Sequence, residues 1–225
     1  NDLEIKDIAE DLNMLQSLYR SCLNIESEVI LANAMEYKHS DKFDIVITSP
    51  PYMNGLDYVM NYKIEMAWLG FIEDHKAAKI IKDGMVVCDN VSKGLIRKFA
   101  DSDSKYTNRW LEEITSNIAR NIERRGSYRR NDMPYIVQKY FDDMYKVMTN
   151  VAAALKPNGR FILVIGDSLI ADVYVPTDLL LAKIGTEPKV GLSIEKIEKV
   201  RNRRSGQVRN YHLRETIVTL KRGEE

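Results

Sequence analysis

Asp44-Ile45-Val46-Ile47-Thr48-Ser49-Pro50-Pro51-Tyr52 is the stretch that decides how this chain is read. Phe43 to Thr48 is a short apolar, β-branched run, the pattern of a buried strand. Ser49-Pro50-Pro51 stops it, because proline cannot continue a central ladder. In an open α/β sheet such a strand delivers its turn to the C-terminal edge, where these folds bind ligands. Consecutive prolines fix their backbone dihedrals and donate no N–H, which leaves carbonyl oxygens free to accept hydrogen bonds. Those carbonyls and the Ser49 hydroxyl suit the capture of an amino group, and Tyr52 offers a flat face to a heterocycle. A proline pair by itself only ends a strand. The strand before it and the aromatic residue after it make this one a candidate site.

On either side of that corner the periodicity sets the remaining elements. Leu3 to Leu23 places Ile5, Ile8, Leu12 and Leu15 at helical intervals, which predicts an amphipathic helix. Ser27 to Leu31 predicts a buried strand running into a loop at Ala32-Asn33-Ala34. Residues 62–133 are polar, rich in lysine and arginine, and hold helical fragments such as Thr107 to Arg125, which predicts a helical insert. A long helix follows Pro134, with Ile136, Tyr140, Met144, Val147, Val151 and Leu155 on one stripe. Pro157-Asn158-Gly159 is expected to end it, and Arg160 to Ile165 to form an apolar strand. Pro176 to Ile184 reads as a helix closed by Gly185. Two last strands, near Leu192 to Val200 and Glu215 to Lys221, are joined without helical pattern and are expected to form an antiparallel edge. The alternation predicts the α/β class: a mainly parallel sheet with helices on both faces.

Composition narrows the class without naming a task. The 225 residues fit one domain, with 44 % apolar and 29 % charged residues as in ordinary globular proteins. The apolar runs are too short to span a bilayer, and Asn1 to Arg20 lacks the apolar core of a signal peptide, so the expected location is cytoplasmic. Cys22 and Cys88 make no metal-ligand spacing, and no metal is expected. Net charge is zero, so composition does not itself announce nucleic acid. Basic residues do concentrate at Arg120, Arg124, Arg125, Arg129 and Arg130, and again at Lys199, Arg201, Arg203, Arg204 and Arg209. A solvated face is the commoner origin of such runs.

Ser49-Pro50-Pro51-Tyr52 resembles the catalytic motif of DNA amino-methyltransferases, which modify cytosine N4 or adenine N6. The serine form preceded by Thr48 is more typical of the cytosine-N4 enzymes. The continuation Met53-Asn54-Gly55-Leu56-Asp57-Tyr58, with Glu65 and Trp68-Leu69-Gly70, resembles a bacterial branch. Leu155-Lys156-Pro157-Asn158-Gly159-Arg160-Phe161 is similar to the helix-to-strand junction of methyltransferases, and Ile165-Gly166-Asp167-Ser168 to the loop after their fifth strand. The resemblance covers roughly residues 28–70 and 135–222.

The resemblance implies a Rossmann-like sheet, S-adenosyl-L-methionine as cofactor, DNA as partner, and a restriction–modification or related system with a companion restriction endonuclease. It implies a catalytic set of Ser49, Pro50, Pro51 and Tyr52. The target amine attacks the sulfonium methyl while Ser49 and the Pro50 carbonyl take up its developing charge. The base is flipped out of the duplex and stacks on Tyr52. Asn33 and Ala34 fall where a Gly-Asp-Ala-like turn contacts the cofactor, with Ser49 alongside, although Asn33 stands where an acidic residue is usual. Arg124, Arg125, Arg129 and Arg130 of the insert, and Arg203 and Arg204, are the candidates for DNA contact. Asp44 and Asp167 have structural explanations, as a strand end and a turn.

One part of the pattern is missing. The cofactor site of this family needs a glycine-rich turn after the first strand, where only glycine allows the close approach. Gly84, Gly94, Gly126, Gly185, Gly191 and Gly206 all stand in unsuitable surroundings. The expectation is therefore a single partial catalytic domain over residues 1–225 that lacks its first strands. The missing portion of the enzyme, upstream or on a separate chain, becomes its partner. Alone, the chain is expected to bind S-adenosylmethionine weakly or not at all. Adenine-N6 methylation, tRNA guanine-N2 methylation and a non-catalytic nucleic-acid-binding subunit remain as alternatives.

Overall fold

The computed structural model describes residues 10–15, 17, 27–40, 42–53, 55, 57–88, 90–126, 130–204 and 212–224. The chain divides into two compact units, Asn1–Ala32 and Asn33–Glu225. Within the first, residues 10–15 and 17 are helical, and the rest of the helix expected over Leu3–Leu23 lies outside the described residues. The strand expected over Ser27–Leu31 does not form, and Val29 and Leu31 are fully exposed. β-branched residues favour a strand only where a neighbouring strand supplies a surface to pair with.

In the second unit, β1 (Phe43–Thr48) leads into helices α1 (Tyr58–Asn61), α2 (Lys63–Trp68), α3 (His75–Gly84), α4 (Lys93–Ala100) and α5 (Arg109–Arg125). There follow α6 (Met133–Ala154), β2 (Leu155–Gly166), a small hairpin of β3 (Ser168–Ile170) and β4 (Val173–Val175), and α7 (Thr177–Gly185). β5 (Leu192–Arg204) and β6 (His212–Arg222) close the chain. Asp74, Ser92 and Asn108 start α3, α4 and α5 by accepting the N–H three residues on, which is how so polar a region makes regular helix. Buried acids on α6 staple its loops: Asp143 accepts from Val87 N and Lys139 Nζ, and Asp142 from Tyr106 N and Lys146 Nζ. Burial pushes the Asp143 carboxyl above its ordinary range, against the pull of Lys139.

The sheet runs in the order β1-β2-β6-β5. β1 lies parallel to β2, whereas β2–β6 and β6–β5 are antiparallel, so the mainly parallel sheet expected from the alternation is corrected. A parallel pair needs a long crossover, here the helices between β1 and β2; β5 and β6 follow one another closely in the chain and pair as antiparallel neighbours. The antiparallel edge expected of the last two strands is present, with β6 placed between β2 and β5.

Helices on both faces were also expected, but among the described residues one face is closed and the other is not. Phe161, Leu163, Ile165, Val218 and Leu220 are buried in one core with Ile136, Tyr140, Met144 and Met148 of α6 and Leu181 and Ile184 of α7. On the opposite face Ile162, Val164, Ile217 and Thr219 are half-buried, and Ile45 and Ile47 are 54 % and 68 % exposed.

Two glycines mark close approaches. Pro157-Asn158-Gly159 does not end α6, which stops at Ala154; it forms an irregular start to β2 tucked under β1. A Cβ on Gly159 would sit 2.8 Å from the Lys156 carbonyl and 3.0 Å from that of Phe43. Gly185 is the last residue of α7, and its Cβ would lie 2.5 Å from Leu220 Cδ1. Its task is to seat the helix on β6 rather than to cap it in a left-handed conformation.

Candidate active site

β1 ends at Thr48, and the corner that follows lies at the C-terminal edge shared by β1 and β2. Ser49 is exposed, Pro50 is buried, Pro51 and Tyr52 are half-buried, and Met53 is fully buried as the anchor beneath them. Gly55 N donates to the Tyr52 carbonyl at 2.9 Å, closing the turn. The Tyr52 hydroxyl donates to Glu215 Oε1 on β6 at 2.6 Å, and Glu215 also pairs with Arg201 on β5. Tyr140 on α6 offers a contrast. Its hydroxyl is fully buried with no hydrogen-bond partner among the described residues, and burial, with Tyr52 nearby, pushes its pKa far up.

The loop after the corner is held by Asp57, which caps α1 through Met60 N at 3.1 Å and accepts from Lys82 at 2.5 Å and Asn90 at 2.6 Å. Burial works against the Asp57 charge, but these donors outweigh it and hold the carboxyl below its usual range. A cavity lined by Pro51, Asp57, Tyr58, Lys82, Val87 and Val91 adjoins the corner and holds about 10 Å³, too little for a nucleobase. A broad apolar hollow of about 980 Å³ lies along α1 and α2, lined by Met60, Ile64, Trp68 and Ile72. A third cavity, of about 470 Å³, is lined by Lys93, Arg97, Arg130, Asn131 and Tyr135.

Next to the corner stands a buried polar cluster at the ends of β2 and β6. Arg214 Nε donates to Asp167 Oδ2 at 3.0 Å and its terminal nitrogen to Asp178 Oδ1 at 3.1 Å. Thr216 donates to Asp178 at 3.1 Å, and Tyr174 to Asp167. Both carboxylates are buried, and burial, reinforced by Asp167, raises the Asp178 pKa. Burial works against the Arg214 charge, yet its two carboxylate neighbours hold it firmly protonated. The turn reading of Asp167 is thus replaced: it is half of an ion cluster that ties β2, β6, the hairpin and α7 together. Asp44, read as a strand end, is exposed and pairs with Lys156 at 2.8 Å, which lowers its pKa.

Asn33 and Ala34 are not brought to the corner by their own bonds. The Asn33 amide donates to Gly84 O at 3.2 Å and accepts from Met35 N at 3.1 Å, and Ala34 O accepts from Asn150 at 3.0 Å. Both ends of that amide are taken, the oxygen by its own turn and the nitrogen by the end of α3, so the described residues do not form a cradle that fits the expected cofactor.

The arginines divide by their partners. Arg130 forks onto Asp132 at 2.8 and 2.6 Å and caps the Val91 carbonyl, a structural use, although it lines the third cavity. Asp132 is held below the ordinary range by that fork. Arg124 is exposed in the last turn of α5, and Arg125 beside it pairs with Asp172 in the hairpin turn. Arg129 and the side chains of Arg203 and Arg204 lie outside the described residues. Sequence reading missed Glu215, Arg214 and Asp178. The one available signal was charge inside an apolar run, Arg214-Glu215 between Leu213 and Ile217.

Comparison with known proteins bears on this geometry. The chain is 30 % identical over 184 residues to the Type II methyltransferase M.AvaI of Nostoc sp. (strain PCC 7120 / SAG 25.82 / UTEX 2576), a match covering 79 % of this chain and 36 % of that protein. It is 27 % identical over 216 residues to the Type II methyltransferase M.BsoBI of Geobacillus stearothermophilus, covering 88 % of this chain and 41 % of that one.

The chain is similar to Type II methyltransferases.

It spans well under half the length of the relatives it matches. No family model matches. A solved DNA modification methylase from Thermus thermophilus, itself described as putative, aligns over 87 % of this chain and 53 % of its own at 14 % identity and a TM-score of 0.39, a likeness that carries no argument. Among the described residues no helix is long and apolar enough to cross a membrane, and no group of histidine, cysteine and acidic side chains is placed to hold a metal ion.

Proposed function

We propose that this chain is the amine-holding part of a DNA amino-methyltransferase with a Rossmann-like sheet, most specifically one acting on cytosine N4 in a restriction–modification or related system. The observation that carries the reading is the Ser49-Pro50-Pro51-Tyr52 corner, held at the C-terminal edge of a parallel strand pair with its serine exposed and its tyrosine tied down. The kinship with Type II methyltransferases supports it.

S-adenosylmethionine supplies the methyl group, and the residues that hold it are not among those described here. What the corner does is hold the acceptor. The Ser49 hydroxyl and the Pro50 carbonyl accept the N–H bonds of an exocyclic amine and favour a pyramidal nitrogen with an available lone pair. The Tyr52 ring stacks on the extruded base and offsets part of its unstacking cost. Arg124, with Arg125, Arg129, Arg203 and Arg204, is the set proposed for the DNA backbone. The cavity that Lys93 and Arg97 line adds a concave surface with basic side chains.

Transfer of labelled methyl groups to duplex DNA by the complete enzyme tests this reading. Tyr52→Ala is expected to cut turnover on the order of 100-fold through lost positioning of the base. Near-normal turnover removes the corner from catalysis.

A further inference from the structure

Within that reading, which this inference rests on, we propose that Glu215 is a positioning residue: the tether that fixes the Tyr52 ring as a stacking platform before the base arrives. Tyr52 springs from the end of β1, and Glu215 sits on β6, two strands away in the order β1-β2-β6-β5. The phenol therefore crosses the end of β2. There Gly166 stands opposite Glu215, and Arg201 on β5 stands opposite it from the other side. Gly166, Glu215 and Arg201 form one row across three strands. The glycine leaves no side chain in the path of the ring, the glutamate receives its hydroxyl, and the arginine gives the glutamate a counter-charge.

The Glu215 side chain is 12 % exposed, so the hydrogen bond is largely shielded from competing water. An O–H donor to a carboxylate is among the stronger hydrogen bonds a neutral side chain makes. The ring is thereby fixed at both ends, by the Tyr52–Gly55 turn on its backbone and by Glu215 on its hydroxyl. A ring ordered in advance does not lose that freedom when a base stacks on it, and positioning raises the rate of the chemical step. Core filling would not require this arrangement: Tyr140 is packed in the core with no partner for its hydroxyl among the described residues. A carboxylate between Leu213 and Ile217 on β6, with its side chain largely shielded, has a clear use once the tyrosine is its ligand.

A double-mutant cycle in the complete enzyme, read as kcat and KM for methyl transfer to duplex DNA, tests the tether. Glu215→Ala is expected to lower kcat about tenfold, the loss typical of one shielded hydrogen bond to a charged group, with KM for the methyl donor unchanged. Tyr52→Phe is expected to lower it similarly, and the double variant to be no slower than Tyr52→Phe alone. Glu215→Gln is expected to keep most of the rate, because its amide oxygen accepts the same O–H. The tether is overturned if Glu215→Ala slows the Tyr52→Phe enzyme by the factor it slows the wild type, or if Gln is as slow as Ala. Should Glu215→Ala fail to fold, Tyr52→Phe decides alone, and an unchanged kcat overturns the proposal. A wild-type enzyme that methylates RNA or nothing, and not DNA, sinks the functional reading itself. An active wild type with additive variants sinks only the tether.

Discussion

The two faces of the central sheet differ more than any other pair of regions in the molecule. One is closed by α6 and α7 over Phe161, Leu163, Ile165, Val218 and Leu220, all buried. The other carries the same kind of apolar side chains, but Ile45 and Ile47 on β1 are more than half exposed. Phe43, Ile45 and Ile47 share one side of the β1 pleat, and Val46 stands between Asp44 and Thr48 on the other, in a strand that pairs in parallel. The difference separates the face that the helices of this chain cover from the face that the described residues leave open. The closed face holds the fold, and the open face adjoins the edge where the Ser49-Pro50-Pro51-Tyr52 corner emerges.

The contrast breaks if the faces respond alike to truncation. Phe161→Ala on the closed face is expected to cost about 3–5 kcal/mol in denaturant unfolding, the range for a fully buried aromatic residue. A cost near that of a surface change would mean the core is not where the structure places it. Arg214→Met removes the cation from between Asp167 and Asp178 and is expected to cost roughly 2–3 kcal/mol at neutral pH, moderated because Arg214 is partly exposed. Its pH dependence carries a sign. Burial already raises the Asp178 pKa, so the native state holds that proton more tightly than the unfolded chain. Stability is therefore lost as pH rises from the ordinary carboxylate range through the raised native value, more steeply in the variant. A variant whose deficit does not shrink on acidification would contradict the cluster.

The open face supplies the smaller effects. Ile47→Ala in this chain alone is expected to change stability by no more than about 0.5 kcal/mol, as exposed positions do. In the complete enzyme the same substitution is expected to cost several times more, and equal small costs in both settings would mean the face stays bare. Calorimetry with S-adenosylmethionine is expected to show no binding to the isolated chain, and micromolar binding would place the cofactor cradle here after all.

Local signals were legible in the sequence and long-range ones were not. The strand–proline corner, the stripe on α6 from Ile136 to Val151 and the antiparallel last pair follow from neighbours a few residues apart and are found where they were read, although Leu155, read as the end of that stripe, opens β2 instead. The strand at Ser27–Leu31 failed because composition cannot supply a pairing partner. Pro157-Asn158-Gly159 was misplaced because the need for Gly159 comes not only from the Lys156 carbonyl beside it but also from the Phe43 carbonyl, more than a hundred residues away. Asp167, Asp178 and Arg214 are far apart in the chain and meet only through the sheet, as do Tyr52 and Glu215. Arg130 looked like a phosphate ligand from its neighbours in sequence, yet its fork is occupied by Asp132.

Mass analysis of nucleosides from DNA treated with the complete enzyme and S-adenosylmethionine tests the central claim most directly. The account predicts N4-methylcytosine, lost when Pro51 or Tyr52 is replaced by alanine. N6-methyladenine would keep the corner and change only its base, whereas 5-methylcytosine, or DNA with no added methyl group, would contradict it.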